Sequence, residues 1–176
     1  MDSTDATRSV LTAAEGGPAL AYTRRLQVPA RRVLEACSSG EGLATWIGEL
    51  RGDAASGDLE FSMTAEGSEA PWVPVTVRAC TEAGWDVELD AGLERWRFTL
   101  RVIPGPAGSL LRFEHRMGTL EELRPYATGW EYYLDRLERA LAGGDVSGVD
   151  FGVIDAALSP GFEGLFAAAI DSAAGA

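Results

Sequence analysis

The strongest constraint on the fold is a change in the period of the apolar residues near Gly118. Before Gly118, five segments alternate apolar and polar side chains with a period of two, which is typical of β-strands with one buried face. These segments are residues 59–63, 73–79, 85–89, 96–102 and 111–117. After Gly118, apolar residues recur every three or four positions from 120 to 141, which predicts a long amphipathic helix. One face of a sheet must therefore pack against one helix.

The connections between the strands favour an antiparallel sheet. Residues 82–84 and 104–108 are short and rich in glycine and proline, and no segment long enough for a crossover helix separates the strands. Near the amino terminus, residues 10–14 and 19–27 are predicted as two strands of a hairpin, joined by a Glu-Gly-Gly-Pro turn at 15–18. In the predicted strand at residues 73–79, the period of two places Ala79 on the inward face, together with Val73, Val75 and Val77.

Two short helices are expected between this hairpin and the five strands. Pro29 suits the first residue of a helix, because its missing N–H has no partner there in any case. Ser38-Ser39-Gly40 ends this helix, residues 41–47 fit a second one, and residues 48–57 are predicted as a loop.

The long helix carries its own start and stop signals. Thr119 and Glu122 have the spacing of a capping box, and Gly143-Gly144 is a typical end. Pro125 would remove a hydrogen bond inside the helix, so the main helix is expected to start at Arg124 or Pro125 after a separate first turn. Beyond it, residues 162–170 fit a short packing helix, or the end is mobile.

These patterns predict an α+β fold in which a curved antiparallel sheet wraps around a long C-terminal helix, with two short helices after the first long strand. Two units are expected along the chain: a domain over residues 1–144 and a tail over residues 145–176.

The charged residues exclude several classes of function. The 176 residues carry a net charge of -12, and all 15 basic residues are arginine. Without lysine there can be no lysine Schiff base and no phosphate-loop lysine. The acidic balance argues against nucleic acid, because neutralising phosphates needs a basic face. One histidine and two cysteines do not make a usual zinc site, and no cofactor motif is present, so neither a metal nor a cofactor is predicted.

The sequence also gives expectations about compartment and assembly. No apolar run approaches the ~18 residues of a membrane helix, so no membrane span is expected. The first ten residues lack a basic-then-apolar signal pattern, which favours the cytoplasm. Cys37 and Cys80 are then expected to be buried thiols. The oligomeric state is left open, with a homodimer among the possibilities.

Several segments resemble the START-like (SRPBCC) superfamily with its helix-grip fold, and more closely its branch named after the activator of the ninety-kilodalton heat-shock chaperone ATPase. The matching segments, in an order and spacing that cover residues 10 to 143, are RRLQVP (24–29), VLEA (33–36), LATW (43–46), GDLEF (57–61), GSLLRFEH (108–115) and GWEYYLDRL (129–137). Leu34, Gly40 and Asp58 depart from the family's usual residues. The resemblance implies a cavity between sheet and helix, but no particular reaction.

The inward-facing aromatic residues are the candidate binding site. Such side chains suit a flat or apolar small molecule if the curved sheet leaves a cavity, and otherwise they fill the core. The candidate ligand-binding residues are Trp46, Phe61, Trp85, Trp96, Phe98, Phe113, His115, Trp130 and Tyr133.

His115, the single histidine, has two interpretations. Alternation places it on the inner face, where it is either a polar group for a ligand or a core histidine bonded to Tyr133 or a backbone carbonyl. No inward carboxylate that could orient it as a catalytic base is identifiable, since Glu114 points the other way.

Three functions follow as hypotheses. The first is binding of a hydrophobic or aromatic small molecule between sheet and helix. The second, implied by the resemblance, is a chaperone-associated module that binds a protein partner. The third is a cyclase- or hydrolase-type enzyme of the same fold that uses His115.

The remaining charged residues are interpreted as surface groups. Those on the strands are expected to form cross-strand ion pairs. The outer face of the long helix is expected to be solvated; its charged residues are Glu131, Asp135, Arg136, Glu138 and Arg139.

Overall fold

A computed structural model describes residues 8–14, 17–67, 69–92 and 94–174. The strands in this part of the chain are β1 (Arg8–Ala14), β2 (Gly17–Leu26), β3 (Glu49–Arg51), β4 (Glu60–Ser62), β5 (Val73–Thr81), β6 (Gly84–Asp90), β7 (Arg95–Gly105) and β8 (Gly108–Arg116). The helices are α1 (Ala30–Ser38), α2 (Gly40–Ala44), α3 (Leu120–Leu123), α4 (Ala127–Leu141) and α5 (Phe151–Ala174). Three single 3-10 turns lie at Thr64–Glu66, Arg124–Tyr126 and Val146–Gly148.

The eight strands form one antiparallel sheet in the order β1-β2-β8-β7-β6-β5-β4-β3. Consecutive strands from β3 to β8 are neighbours, as the short connections predict, and the β1–β2 hairpin adds to β8. Glycine is required at the β7–β8 turn. Gly108 has φ +154°, and a Cβ there would lie 2.1 Å from the carbonyl oxygen of Leu26. The predicted antiparallel sheet is confirmed; Glu15 and Gly16 of the predicted first turn lie outside the described residues.

A β-bulge in β5 changes which side chains face inward. The register against β6 shifts between Val77 and Ala79, so that one extra residue lies on the bulged strand. Beyond the bulge, Cys80 pairs with Trp85 and faces the interior side of the sheet, where strict alternation had placed Ala79. The prediction for Ala79 is therefore wrong. Cys80 is also exposed, in contrast to the buried Cys37 and to the prediction that both thiols are buried.

The two short helices follow β2 as predicted, with small differences in their bounds. Pro29 is the N-cap of α1 and not its first residue. The hydroxyl of Ser39 accepts from the backbone N–H of Gly42 and caps α2. The predicted loop at 48–57 contains a strand, β3, because its three residues pair with β4.

The long helix is divided near Pro125. The Thr119–Glu122 capping box is present and starts α3, which ends after one turn. A 3-10 turn containing Pro125 follows, and α4 begins at Ala127, two or three residues later than the expected start at Pro125 or Arg124. The apolar stripe of α4 packs against the sheet, and its buried members are Ala127, Trp130, Tyr133, Leu134, Leu137 and Leu141.

The C-terminal segment forms a longer helix than predicted. α5 has 24 residues and includes Pro160, whereas only 162–170 were predicted as helical. It packs on α4 and β1, with Phe166 buried and Thr128 donating to Asp155 over 2.8 Å. An 18-residue window within Phe151–Ser172 has a mean hydropathy of 1.4, so by length and composition this segment could cross a membrane, and 11% of the window is buried. The sequence analysis overlooked this segment because its acidic residues interrupt the apolar run.

The outer face of α4 is not uniformly solvated, which corrects a prediction. Arg24 is 3% exposed on the inner face of β2, and its guanidinium binds the carboxylate of Glu131, itself 4% exposed. The same guanidinium lies 2.9 Å from Glu138 and 3.7 Å from Asp135. A single buried cation therefore joins β2 to three carboxylates of α4. The cross-strand ion pairs that were predicted for the other side of the sheet include Arg97–Asp86 at 2.7 Å.

Candidate functional site

An apolar cavity of about 310 Å³ lies between the inner face of the sheet and α4. We refer to it as the sheet–helix cavity. Strands β5 to β8 supply one wall, α4 supplies another, and α1, α2 and the residues that follow α2 close one end. Ser38, Ala54, Val77 and Cys80 line it and are exposed, so they mark the side on which the cavity reaches solvent. The inward-facing rings therefore do not fill the core completely.

Six of the nine predicted site residues line this cavity: Trp46, Phe61, Trp85, Phe98, Phe113 and Trp130. Two of the indoles are tied to α1 at their nitrogen atoms. Trp46 Nε1 donates to the carbonyl of Ala36, and Trp85 Nε1 donates to the carbonyl of Cys37, each over 3.0 Å. Because their polar atoms are satisfied there, both rings present apolar surface to the cavity.

Among the described residues that line the sheet–helix cavity, none has a charged side chain. The polar side chains that line it are the hydroxyl of Ser38 and the thiols of Cys37 and Cys80. Burial raises the pKa of the Cys37 thiol to about 12, so this thiol is protonated and unreactive at neutral pH. The cavity therefore suits an uncharged, apolar molecule.

The other three predicted site residues, Trp96, His115 and Tyr133, do not line the sheet–helix cavity. They line a second cavity of about 470 Å³ near the amino-terminal end of α4, which we call the histidine cavity. The prediction of one aromatic cavity with His115 as its polar group is therefore wrong in this respect. The further lining residues are Met63, Ala65, Pro125, Tyr126, Gly129, Trp130, Tyr132 and Phe151.

Trp130 lines both cavities, and its position is fixed by His115. The indole Nε1 donates to Nδ1 of His115 over 2.9 Å, in a pair that is buried from solvent. The sequence analysis offered Tyr133 or a backbone carbonyl as the partner, and the structure gives Trp130 instead. Phe98 and Phe113 pack against the same indole, with ring centroids 5.0 and 4.4 Å away. The indole therefore forms a wall between the two cavities.

His115 is uncharged in this environment. Its side chain is 0% exposed, and burial lowers the pKa of the imidazole from 6.5 to about 3. The surrounding rings are those of Trp96, Phe98, Tyr126 and Trp130. The apolar neighbours supply no charge that would stabilise an imidazolium ion.

One carboxylate holds two of the rings that cover His115. Glu94 accepts from Trp96 Nε1 over 2.9 Å and also from the hydroxyl of Tyr126. These two hydrogen bonds lower the pKa of Glu94, so it is ionised at neutral pH. We call this trio, Glu94, Trp96 and Tyr126, the Glu94 clasp. Its residues lie in the β6–β7 connection, at the start of β7 and just before α4, so the clasp joins the sheet to the helix.

The described residues contain no group of three or more His, Cys, Asp or Glu side chains with the geometry of a metal site.

Two functional features escaped the sequence analysis. Tyr126, Tyr132 and Phe151 of the histidine cavity lie in a turn, on the flank of α4 and at the start of α5, where no period indicates a shared site. Glu94 belongs to a loop, and only its contacts show what it does.

No family model and no curated protein matches the chain. Solved structures do. CalU16 from Micromonospora echinospora superposes with a TM-score of 0.74 at 20% sequence identity, covering 92% of this chain and 99% of CalU16. The protein of unknown function EF2215 from Enterococcus faecalis gives a TM-score of 0.65 at 14% identity, covering 90% of this chain and 92% of its own.

This chain has the helix-grip fold. DynU16, a protein of the dynemicin biosynthetic locus, is a third structure with this arrangement. Its TM-score is 0.55 at 16% identity, covering 73% of this chain and 49% of DynU16. These similarities confirm the helix-grip fold that the sequence motifs indicated. They do not support the chaperone-activator branch in particular.

Proposed function

We propose that this helix-grip protein binds an uncharged hydrophobic small molecule in the sheet–helix cavity. The observation that carries the proposal is the cavity itself: about 310 Å³ lined by aromatic and aliphatic side chains, with no charged residue in the part of its lining that the structure describes. An apolar cavity of this size loses van der Waals contacts when it is empty, and an apolar ligand restores them.

The solved structures bear on the kind of ligand. DynU16 belongs to a biosynthetic locus, so a small organic molecule is a reasonable class of ligand to test first. The rings of Trp46, Trp85 and Trp130 around the cavity favour flat molecules, because aromatic pairs stack or meet edge to face.

The two cysteines provide a direct test of occupancy. Cys80 lines the cavity and is exposed, whereas Cys37 is buried with a raised pKa, so iodoacetamide should alkylate Cys80 selectively. The neutral fluorescent probe N-phenyl-1-naphthylamine should bind, gain fluorescence and slow the alkylation of Cys80 several-fold. Cys80→Ser is the control that assigns the labelled site. Failure of the probe to bind, or binding that leaves the alkylation rate unchanged, would contradict the proposal.

A matched pair of substitutions tests the location. Val87 lines the cavity on β6, and Val10 is 47% exposed on β1. Val87→Trp should fill the space and reduce the affinity for N-phenyl-1-naphthylamine at least tenfold, whereas Val10→Trp should leave it within twofold of the unmodified protein. Equal affinities in the two variants would place the probe elsewhere.

The enzyme hypothesis receives less support from the geometry. His115 lies behind Trp130 and outside the sheet–helix cavity, and burial lowers its pKa to about 3. An imidazole with this pKa is a weak base at neutral pH. Glu114, next to it in sequence, is bound to Arg112 and Arg116 on the other face of the strand.

The chaperone-associated module stays a prediction from the resemblance. It requires an exposed apolar patch, and α5 does expose Phe151, Val153, Leu158 and Ile170. A pull-down with the unmodified protein and with Val153→Glu, which alters the most exposed of these four positions, would test it. A stoichiometric partner lost in the variant is the expected result, and no partner in either case would reject it.

A further inference from the structure

The histidine cavity contains a buried polar atom without a hydrogen-bond partner. Nδ1 of His115 accepts from the indole of Trp130, and an indole nitrogen is only a donor. The neutral imidazole must therefore carry its proton on Nε2. Nε2 is buried and has no hydrogen-bond partner among the described residues. His115 thus has an unpaired N–H donor on a fully buried side chain that lines a cavity of about 470 Å³.

The fixed tautomer limits the chemistry of a partner for this atom. A buried N–H donor is stabilised by an acceptor such as a carbonyl oxygen, and it gains nothing from another donor. Protonating the ring would abolish the bond from Trp130, because Nδ1 would then carry a proton. The group that the site lacks is therefore an acceptor, and the imidazole does not supply a positive charge to attract an anion.

The walls of the histidine cavity define the rest of the ligand. The cavity is lined by the rings of Trp96, Tyr126, Trp130, Tyr132, Tyr133 and Phe151. Within the described part of the chain, no aspartate, glutamate or arginine side chain lines this cavity. Flat aromatic surface fits such walls, and a charged group would lose its hydration without compensation.

We propose that the histidine cavity is a second binding site, which takes a flat, neutral aromatic ketone whose carbonyl oxygen accepts a hydrogen bond from Nε2–H of His115. This site is separate from the sheet–helix cavity, because the Trp130 indole lies between them.

Binding requires the Glu94 clasp to open. The rings of Trp96 and Tyr126 lie 6.1 and 5.3 Å from the imidazole, centroid to centroid, and cover it. Both are held by the carboxylate of Glu94. A ketone reaches Nε2 when these rings separate, and they can then pack against its two faces. The clasp therefore controls access to the donor.

The test uses 9-fluorenone, a flat neutral ketone, against fluorene, which has the same ring system with a methylene in place of the carbonyl. Because His115 is the single histidine, labelling with ¹⁵N-histidine gives one imidazole signal set, and its shifts identify the protonated nitrogen. The free protein should show the proton on Nε2. Fluorenone should bind and move the Nε2–H resonance downfield, and fluorene should bind at least tenfold more weakly without this shift.

A variant and a second readout complete the experiment. His115→Phe should lower the affinity for fluorenone at least tenfold and leave that for fluorene within twofold. If this variant does not fold, the spectra of the unmodified protein decide the question by themselves. A proton on Nδ1, no binding of fluorenone at its solubility limit, or equal affinities for the two compounds would each overturn the proposal. So would fluorenone that slows Cys80 alkylation and leaves the His115 signals unchanged, although that result would support the sheet–helix cavity as a binding site.

Discussion

The indole nitrogen of Trp130 donates to Nδ1 of His115 over 2.9 Å, and this bond fixes both side chains at the boundary between two cavities. The donor comes from the apolar stripe of α4 and the acceptor from the inner face of β8. The pair satisfies the polar atom of the indole in the interior and selects the tautomer of the imidazole. A structural hydrogen bond therefore determines what each cavity offers to a ligand.

The depressed pKa of His115 predicts a loss of stability in acid. Its folded-state pKa is about 3, against 6.5 for an unperturbed imidazole, so between these values the unfolded chain binds a proton that the folded chain refuses. The contribution of the uncharged His115 to the free energy of unfolding is complete above pH 6.5. It is lost as the pH falls toward 3, at a rate approaching roughly 1.4 kcal/mol per pH unit. Urea unfolding from pH 7 to pH 4 measures it. His115→Phe should have the smaller slope, and parallel curves would show that His115 does not titrate in this way.

Replacement of Trp130 should be destabilising even when an aromatic ring is kept. Trp130→Phe removes the donor to Nδ1 of His115 and leaves a buried acceptor unpaired, at a cost of roughly 1–3 kcal/mol. The smaller ring also enlarges the cavities that it separates. Trp72→Phe is the matched control, because Trp72 is a half-buried residue stacked on Arg51. Equal losses in the free energy of unfolding for the two variants would contradict the assigned role.

Replacement of Arg24 is expected to lower the free energy of unfolding more than replacement of any other charged residue in the sheet. Arg24→Met leaves the buried carboxylate of Glu131 without its cation, and such a loss costs about 3–5 kcal/mol. Adding Glu131→Gln should recover a large part of the loss, because the unpaired charge is then gone. Arg25→Met, at the exposed neighbouring position, should change the free energy of unfolding little. A double variant no more stable than Arg24→Met would refute this account.

Removing the charge of Asp135 or Glu138, the other two carboxylates around Arg24, should stabilise the protein at neutral pH. Burial is the largest influence on Asp135 and Glu138 and raises the pKa of both above the usual values, although Arg24 lowers them. Their contribution to stability is present below the unfolded-state pKa and is lost as the pH rises through the raised values. Asp135→Asn and Glu138→Gln should therefore each raise the urea midpoint at pH 7 more than at pH 3. A lower midpoint at pH 7 would mean that attraction to Arg24 dominates.

Much of the candidate site could be predicted because alternation depends only on neighbouring residues. A period of two places Phe98 on the inward face of β7, and Phe113 and His115 on the inward face of β8, whatever the rest of the chain does. The helical period likewise places Trp130 on the buried stripe of α4. The capping box at Thr119 and Glu122 is equally local, so it too was visible in the sequence.

Other features depend on residues far apart in the chain. The bulge after Val77 reversed the phase of β5 and brought Cys80 inward, and a period of two does not show where an extra residue is accommodated. Arg24 shares the inner face of β2 with Tyr22 and Leu26. Its burial is tolerated only because Glu131 lies opposite it on α4, 107 residues later in the sequence.

The sequence by itself determined the antiparallel sheet, the helix that it grips and the inward direction of the lone histidine, because each follows from short-range periodicity. Only the tertiary structure decided that the aromatic residues line two cavities, that Trp130 separates them, and that the last helix runs from Phe151 to Ala174. The physical reason is that a cavity is the difference between the volume that the backbone encloses and the volume that side chains fill. That difference depends on sheet curvature and on contacts between distant elements.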